Sequence, residues 1–383
     1  MIKMVTAFTA EADVSEAAIS EIKRQIDVEK IKNNAVAVIE CHAEFIETGV
    51  MQAVCEALPF ETVGITCSLP AVTGTSSPLA LTVTVLMSDE CKFKVLSFET
   101  DEASKVADAC YETACKFASD GNFPALVLSY VSFMSYVSGD TLVHSFSKGL
   151  PGVPVFGSLP ISDEADFSRS YTIHNGKYTE FGAVYLGIYG DIKPEFRCTS
   201  YRAGTMYQTS GMVEEAEGTY IYKIDGMTAW DYLLEKNITT AETYQNVITQ
   251  PLVLTYHDGS VIMRNCLNID FEKKAIVLSG HALPGAIVDF ALITAEDVRN
   301  SAVKVADEIA EISKEASVVL IYSCATRLWQ LGTNTTDEID ILSDKLTGKA
   351  YSFAYSGGEI YPMIVDGKYI NTFQNNNLCV CVI

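Results

Sequence analysis

The chain has 383 residues, 48% of them hydrophobic, with a formal net charge of −22, which is enough for two or three domains with real cores. Such a charge repels phosphate backbones and anionic headgroups before contact, so no nucleic acid and no membrane partner is expected. No apolar run reaches the ~18 to 20 residues of a membrane helix, and the opening MIKMVTAFTAEADVSEAA lacks the long apolar core of a signal peptide, so a cytoplasmic setting is expected.

In chain order, MVTAF is followed by Thr9-Ala10-Glu11 and a helix with Val14, Ala18, Ile22 and Ile26 on one side. An apolar strand VAVIECHAE follows from Val36 to Glu44, then VGITCSLP from Val63 and the apolar LALTVTVLM. The same order returns with KVLSF, Thr100-Asp101-Glu102, a helix striped by Ala103, Val106, Cys110, Ala114 and Phe117, and ALVLSYVSF from Ala125 to Phe133. PVFGSLP from Pro154 and FGAVYLGIY close this second set, which shares Ser-Leu-Pro with the first at Ser68-Leu69-Pro70 and Ser158-Leu159-Pro160. In each set the Thr, or an acid after it, is expected to cap the helix.

From about 197 to 285 the character changes. TYIYKIDG, a short helix MTAWDYLLEK, QPLVLTYHDG, SVIMRNCLNID and KKAIVLSG are short alternating strands with Asp-Gly turns, the pattern of an antiparallel sheet. The third set then starts with a short apolar segment, Thr294-Ala295-Glu296, and a helix whose face carries Val298, Ala302, Val305, Ile309 and Ile312. It continues with SVVLIYSCATR from Ser317, AYSFAYSGGEI from Ala350 and NLCVCVI. The fold class is therefore α/β, with three repeated strand-helix-strand-helix-strand-hairpin units near 1–95, 96–196 and 290–383, plus an inserted antiparallel β-rich segment. The corresponding domains are 1–196 and 197–383.

Val318 to Tyr322 shows no alternation, which predicts a buried parallel strand flanked by helices. In open α/β sheets ligands sit at the carboxyl ends of strands, which makes Ser323, Cys324, Thr326 and Arg327 the first candidate site. A cysteine nucleophile wants a histidine base, and the nearest, His281, has no visible tie to Cys324; a ligand-lining thiol is the other reading. Arg327 must pair with an anion or snorkel to solvent. Glu359 follows Gly357-Gly358, which permit close approach of a bound group, but it also suits a turn carboxylate in water. Asn375, Asn376 and Asn377 read as the last hairpin turn or as ligand amides. Arg264, in VIMRN, reads as a rim side chain or as a second anion contact, the rim being the preferred reading.

The eleven cysteines form no CxxC pair and read as packed, reduced thiols, with Cys379 and Cys381 on one face of a strand. His42, His144, His174, His257 and His281 are isolated from one another, so neither a metal site nor a cofactor is expected.

Cys324 with Arg327, then Gly358-Glu359-Ile360 and Pro362, then Phe373-Gln374-Asn375, resemble the C-terminal half of the FIST family. The similarity extends through Ile224-Asp225-Gly226, Ala229 and Arg264, and on the N-terminal side through Gly64, Cys67, Gly157 and Asp163. The chain departs from the family pattern at Pro70-Ala71, Gln374 and Asn377. The resemblance implies a sensory module that binds a small molecule, an amino acid or related carboxylate among the options; a separate signalling protein is one partner option. Ser323, Cys324, Arg327, Tyr355, Gly358, Glu359 and Asn375 are the expected ligand contacts; Arg327 and Glu359 either hold the two charged ends of an amino acid or pair directly with each other. A thiol-dependent transferase or hydrolase built on Cys324, and a scaffold for a signalling partner, are the alternatives.

Overall fold

The computed structural model describes residues 2–31, 34–132, 137–164, 167–200, 205–206, 210–314 and 316–383. Phe133, the last residue of the second apolar stretch, lies outside these. The fold is mixed α/β, with three six-stranded sheets and a closed six-stranded barrel.

The first sheet runs in the order Lys3–Thr9, Leu81–Met87, Ala35–Cys41, Glu61–Thr66. The second runs Lys92–Glu99, Gly182–Tyr189, Leu126–Val131, Val155–Ser158, and the third Glu195–Thr199, Leu378–Val382, Val319–Cys324, Ser352–Ser356. In each sheet only the third and fourth of these strands are parallel to each other. A two-stranded hairpin completes every sheet, and it comes from a different part of the chain each time. Thr172–His174 with Lys177–Thr179 joins the first sheet, Glu359–Val365 with Lys368–Gln374 the second, and Ser68–Val72 with Thr75–Ser76 the third. The three sheets thus exchange hairpins in a closed cycle.

Helices cover only one face of each sheet, a correction to the expectation for the Val319–Cys324 strand. Val319 and Ile321 pack under the helix Ala295–Ile312, beside Val305 and Ile309. Leu320 and Tyr322 face inward and meet Val36, Val38, Leu128 and Phe156 from the other two sheets. An apolar run without alternation reports burial on both faces but not what buries them. Cys379 and Cys381 do share one face, in this same inner core.

Close sheet packing explains two glycines. A Cβ at Gly64 would lie 1.8 Å from Ile39 O, and one at Gly157 1.9 Å from Ser129 O, so the parallel neighbour leaves no room for a side chain. These glycines also set the alignment of the first two sheets, and in it the shared Ser-Leu-Pro is not equivalent. Ser68 begins a hairpin strand, whereas Ser158 ends a central one.

The segment expected to be antiparallel forms the barrel, in the order Ile287–Leu292, Gly211–Glu217, Tyr220–Ile224, Ala275–Leu278, Val261–Asp270, Pro251–Thr255. It closes because Pro251–Thr255 also pairs with Ile287–Leu292. The apolar segment ahead of Thr294 is therefore a barrel strand, and the edge strand of the third sheet is Glu195–Thr199, upstream of the barrel. Helix caps follow the expectation once in three cases. Thr294 and Asp297 form a full capping box, while Val14 and Glu102 occupy the other N-cap positions without a side-chain bond.

Candidate functional site

The Val319–Cys324 strand delivers Ser323 and Cys324 to the end of the third sheet, and the helix Ala325–Leu331 begins at once. Arg327, one turn in, is fully buried. Its guanidinium takes Glu338 from the helix Asp337–Lys345, with Nη2 at 2.6 Å and Nε at 3.1 Å from Oε1. Arg327 Nη2 also donates to Ser301 Oγ at 2.9 Å, and Ser323 Oγ donates to Glu338 Oε2 at 3.0 Å. The Arg327–Glu359 clamp expected for an amino acid is thus replaced by a buried Arg327–Glu338 pair. Glu338 was legible in principle. It lies one turn before Leu342, an acid on the apolar stripe of its helix.

Cys324 lines a narrow cleft with Asn265, Ser279, Thr326, Trp329, Ser356 and Gly357, closed on its apolar side by Ile161, Phe167 and Leu267. The cleft volume is about 30 Å³, room for one or two waters. Thr326 Oγ1 lies 3.2 Å from Cys324 Sγ and donates to Asn376 Oδ1 at 2.7 Å. No histidine lines this cleft among the described residues. His281 is instead hydrogen-bonded through Nε2 to Ser138 Oγ at 2.7 Å.

Asn375, Asn376 and Asn377 do not form a hairpin turn. The strand before them belongs to the second sheet and the strand after them to the third, so they carry the chain between sheets. All three are buried, and only Asn376 takes the left-handed conformation, with φ 62°. Asn376 Nδ2 donates to Asn265 Oδ1 at 2.7 Å, and Asn375 Oδ1 accepts from Ser279 Oγ at 2.7 Å. Gly358 is needed for close approach, since a Cβ there would sit 2.5 Å from the Phe373 ring and 3.1 Å from Asn375 Nδ2. Tyr355 points the other way, into the helix-side core, where its ring stands edge-on to Phe353 with centroids 4.9 Å apart.

Glu359 is fully buried rather than in water, and no hydrogen bond of good geometry reaches either carboxyl oxygen. Burial, with Cys324 and Cys198 close by, pushes its pKa well above the usual carboxylate range, against a weaker pull from the Asn377 main chain and Arg327. Ser158 Oγ, directly across the ladder from Glu359, is also buried without a partner. The same holds for Ser356 Oγ, Asn375 Nδ2 and Asn377 Oδ1. These orphaned groups share the neighbourhood of the cleft. Ser356 lines it, Asn375 is bonded to its Ser279, and the Asn377 carbonyl accepts the Cys324 amide at 2.9 Å.

The two halves of the chain in this arrangement match two family models. The FIST N domain matches residues 35–227 and the FIST C domain residues 227–362. The chain belongs to the FIST family. No curated protein matches it. FIST domains are sensory, ligand-binding domains of signal transduction, so a small-ligand site is the relevant geometry to seek. No helix among the described residues is long and apolar enough to cross a membrane.

A second cleft, of about 940 Å³, lies between the barrel and the second sheet, and it gathers His144, His257 and His281, which the sequence leaves scattered. Arg264 sits at its base, 2% exposed rather than on the rim. It bonds both oxygens of Asp140 at 3.0 and 2.9 Å and Phe373 O at 3.1 Å, and the His281 amide adds a bond to Asp140 Oδ2 at 2.7 Å. A third polar cluster joins Ser68 Oγ to Asp163 Oδ1 at 2.5 Å and Asp163 Oδ2 to His42 Nε2 at 3.1 Å. The carboxylate stands between the two, so the imidazole of His42 bonds Asp163 and not the serine. His42 and Ser68 hold Asp163 below the usual carboxylate range.

Proposed function

We propose that this FIST protein senses a small molecule held in the Cys324 cleft. The observation that supports this reading is the set of orphaned buried polar atoms on Ser158, Ser356, Glu359, Asn375 and Asn377. An unsatisfied buried polar group costs roughly 1–3 kcal/mol, and native proteins keep few of them. A ligand that both donates and accepts hydrogen bonds would repay that cost. The larger cleft has the greater volume, but its buried charge, Arg264, is already paired with the partly exposed Asp140.

Cys324, Glu359, Asn375 and the Gly357-Gly358 main chain are the proposed ligand contacts, joined by Ser356 and Thr326. Ser323 and Arg327 act one layer out, fixing the strand end through Glu338. Within the class of amino acids and related carboxylates, the cleft favours the smallest. No cationic side chain lines it among the described residues, so a carboxylate would rest on hydroxyl, amide and main-chain groups. Even the smallest amino acid exceeds one or two waters, so Trp329, which lines the cleft and is 41% exposed, has to move to admit it. The rest of the proposal is organisational. The three sheets derive from one repeated α/β unit, the division falls near residue 196, and the reading is passed in the cytoplasm to a separate signalling protein.

Thermal-shift screening of small amino acids, hydroxy acids and amides at millimolar concentration tests the proposal. A ligand at ~100 times its dissociation constant stabilises the fold by roughly 2.7 kcal/mol. Ser356→Ala and Asn375→Leu should each abolish that shift while leaving the unliganded protein folded. A hit whose shift survives both variants would show that the ligand sits elsewhere.

A further inference from the structure

Cys198 lies on the edge strand of the third sheet, and the antiparallel register places it directly opposite Cys379 on the next strand. Their sulfurs are 3.2 Å apart. Directly opposed residues in an antiparallel pair have Cα atoms ~4.5 or ~5.5 Å apart, and both spacings fall inside the range a disulfide accepts. Bringing the sulfurs to the ~2.05 Å of a covalent bond therefore takes side-chain rotation without backbone movement. Both are free thiols, Cys198 half-buried and Cys379 buried.

We propose that Cys198 and Cys379 form a reversible, peroxide-driven disulfide, giving the protein an oxidant input separate from its ligand cleft. Cys198, the accessible member, reacts first. Its sulfur attacks the peroxide O–O bond, taking one oxygen as a sulfenic acid and releasing water. The Cys379 sulfur then attacks the sulfenic sulfur; the S–O bond breaks, and the departing hydroxyl leaves as water with the Cys379 proton. In sum, two thiols and one hydrogen peroxide give one disulfide and two waters, with sulfur oxidised and peroxide oxygen reduced. Burial and the neighbouring Cys198 raise the Cys379 thiol well above its ordinary value, which keeps Cys379 protonated and assigns it the second step.

The position gives the bond something to act on. Cys379 follows Asn377 and Leu378, and the Asn377 carbonyl holds the Cys324 amide. Cys198 is among the groups that push the Glu359 pKa up, and Glu359 among those that push Cys379 up, so the three lie close together. A disulfide here ties the edge strand to the strand that leaves the orphaned cluster. Cys115, the exposed cysteine, is the competing target for oxidant.

The test uses the full chain carrying Cys115→Ser, treated with hydrogen peroxide, alkylated and examined by intact mass and peptide mapping. The expected result is loss of two hydrogens, a linked peptide pair containing Cys198 and Cys379, and full reversal by dithiothreitol. Cys198→Ser, whose fold is checked by its melting curve, should lose that product; Cys379→Ala should instead stop at oxygen addition on Cys198. Oxygen addition at Cys198 with Cys379 still alkylatable in the otherwise native chain would overturn the proposal. So would a disulfide yield unchanged by Cys198→Ser, or no reaction at either sulfur.

Discussion

Replacing Glu338 by Gln probes the Arg327 anchor with almost no change in shape. The carboxylate is fully buried and receives Arg327 Nη2 at 2.6 Å, Arg327 Nε at 3.1 Å and Ser323 Oγ at 3.0 Å. The amide keeps one acceptor but removes the charge, and Ser301 Oγ at 2.9 Å is a neutral partner that cannot replace it. Stranding a buried guanidinium costs about 3–5 kcal/mol. With an unfolding entropy of ~2.1 cal/mol/K per residue, and unfolding as one unit, that is a drop of about 4–6 °C in Tm. The double variant Arg327→Met, Glu338→Leu removes both charges and should recover most of the loss, because a buried ion pair is worth little more than apolar packing of the same volume. Urea denaturation of the two variants and the parent measures both quantities. A loss below ~1 kcal/mol for Glu338→Gln, or a double variant as unstable as the single, would refute the claim that the two charges form a mutually dependent anchor.

Other substitutions test other parts of the account. Glu359 has a folded pKa raised above its unfolded value, so the folded state binds the extra proton and stability falls as pH rises from the unfolded carboxylate pKa through the folded one. Glu359→Gln should remove that fall, raising the Tm at pH 7 relative to the parent and leaving the two equal at low pH; a parallel pair of Tm curves would contradict it. Asp140→Asn strips the charge partner from buried Arg264 and should cost about 3–5 kcal/mol in urea melts, loosening the barrel against the second sheet; a cost near zero would mean Arg264 finds solvent. Gly157→Ala drives a Cβ into Ser129 O, 1.9 Å away, and should cost at least ~2 kcal/mol, whereas Gly152→Ala, with a positive φ but open space around it, should cost only the left-handed backbone strain of about 1–2 kcal/mol.

Much of the fold was legible because local pattern and burial coincide. The apolar runs at Val36, Leu126 and Val319 are the fully buried third-position strands of the three sheets, and the Asp-Gly turns and alternation after Arg197 mark the barrel. The hairpin exchange was not legible, since pairing such as Tyr355 with Ser68 joins segments with no shared local signal. Cys324 and the Gly357-Gly358 turn do stand at strand ends, as the apolar runs before them imply. Arg264 and Arg327 read as rim or ligand residues because a sequence shows a charge but not its partner: Asp140 lies 124 residues before Arg264, and Glu338, although only 11 residues after Arg327, sits on the next helix. Asn375 to Asn377 suit a turn by propensity, yet tertiary pairing puts the flanking strands in different sheets.

The most direct measurement is a crystal structure of the protein bound to the best thermal-shift hit. The account predicts density in the Cys324 cleft, with ligand atoms within hydrogen-bond distance of Ser356 Oγ and Asn375 Nδ2 and Trp329 moved or packed over the ligand. Ordered waters satisfying those same groups while the hit occupies the Arg264 cleft would contradict it.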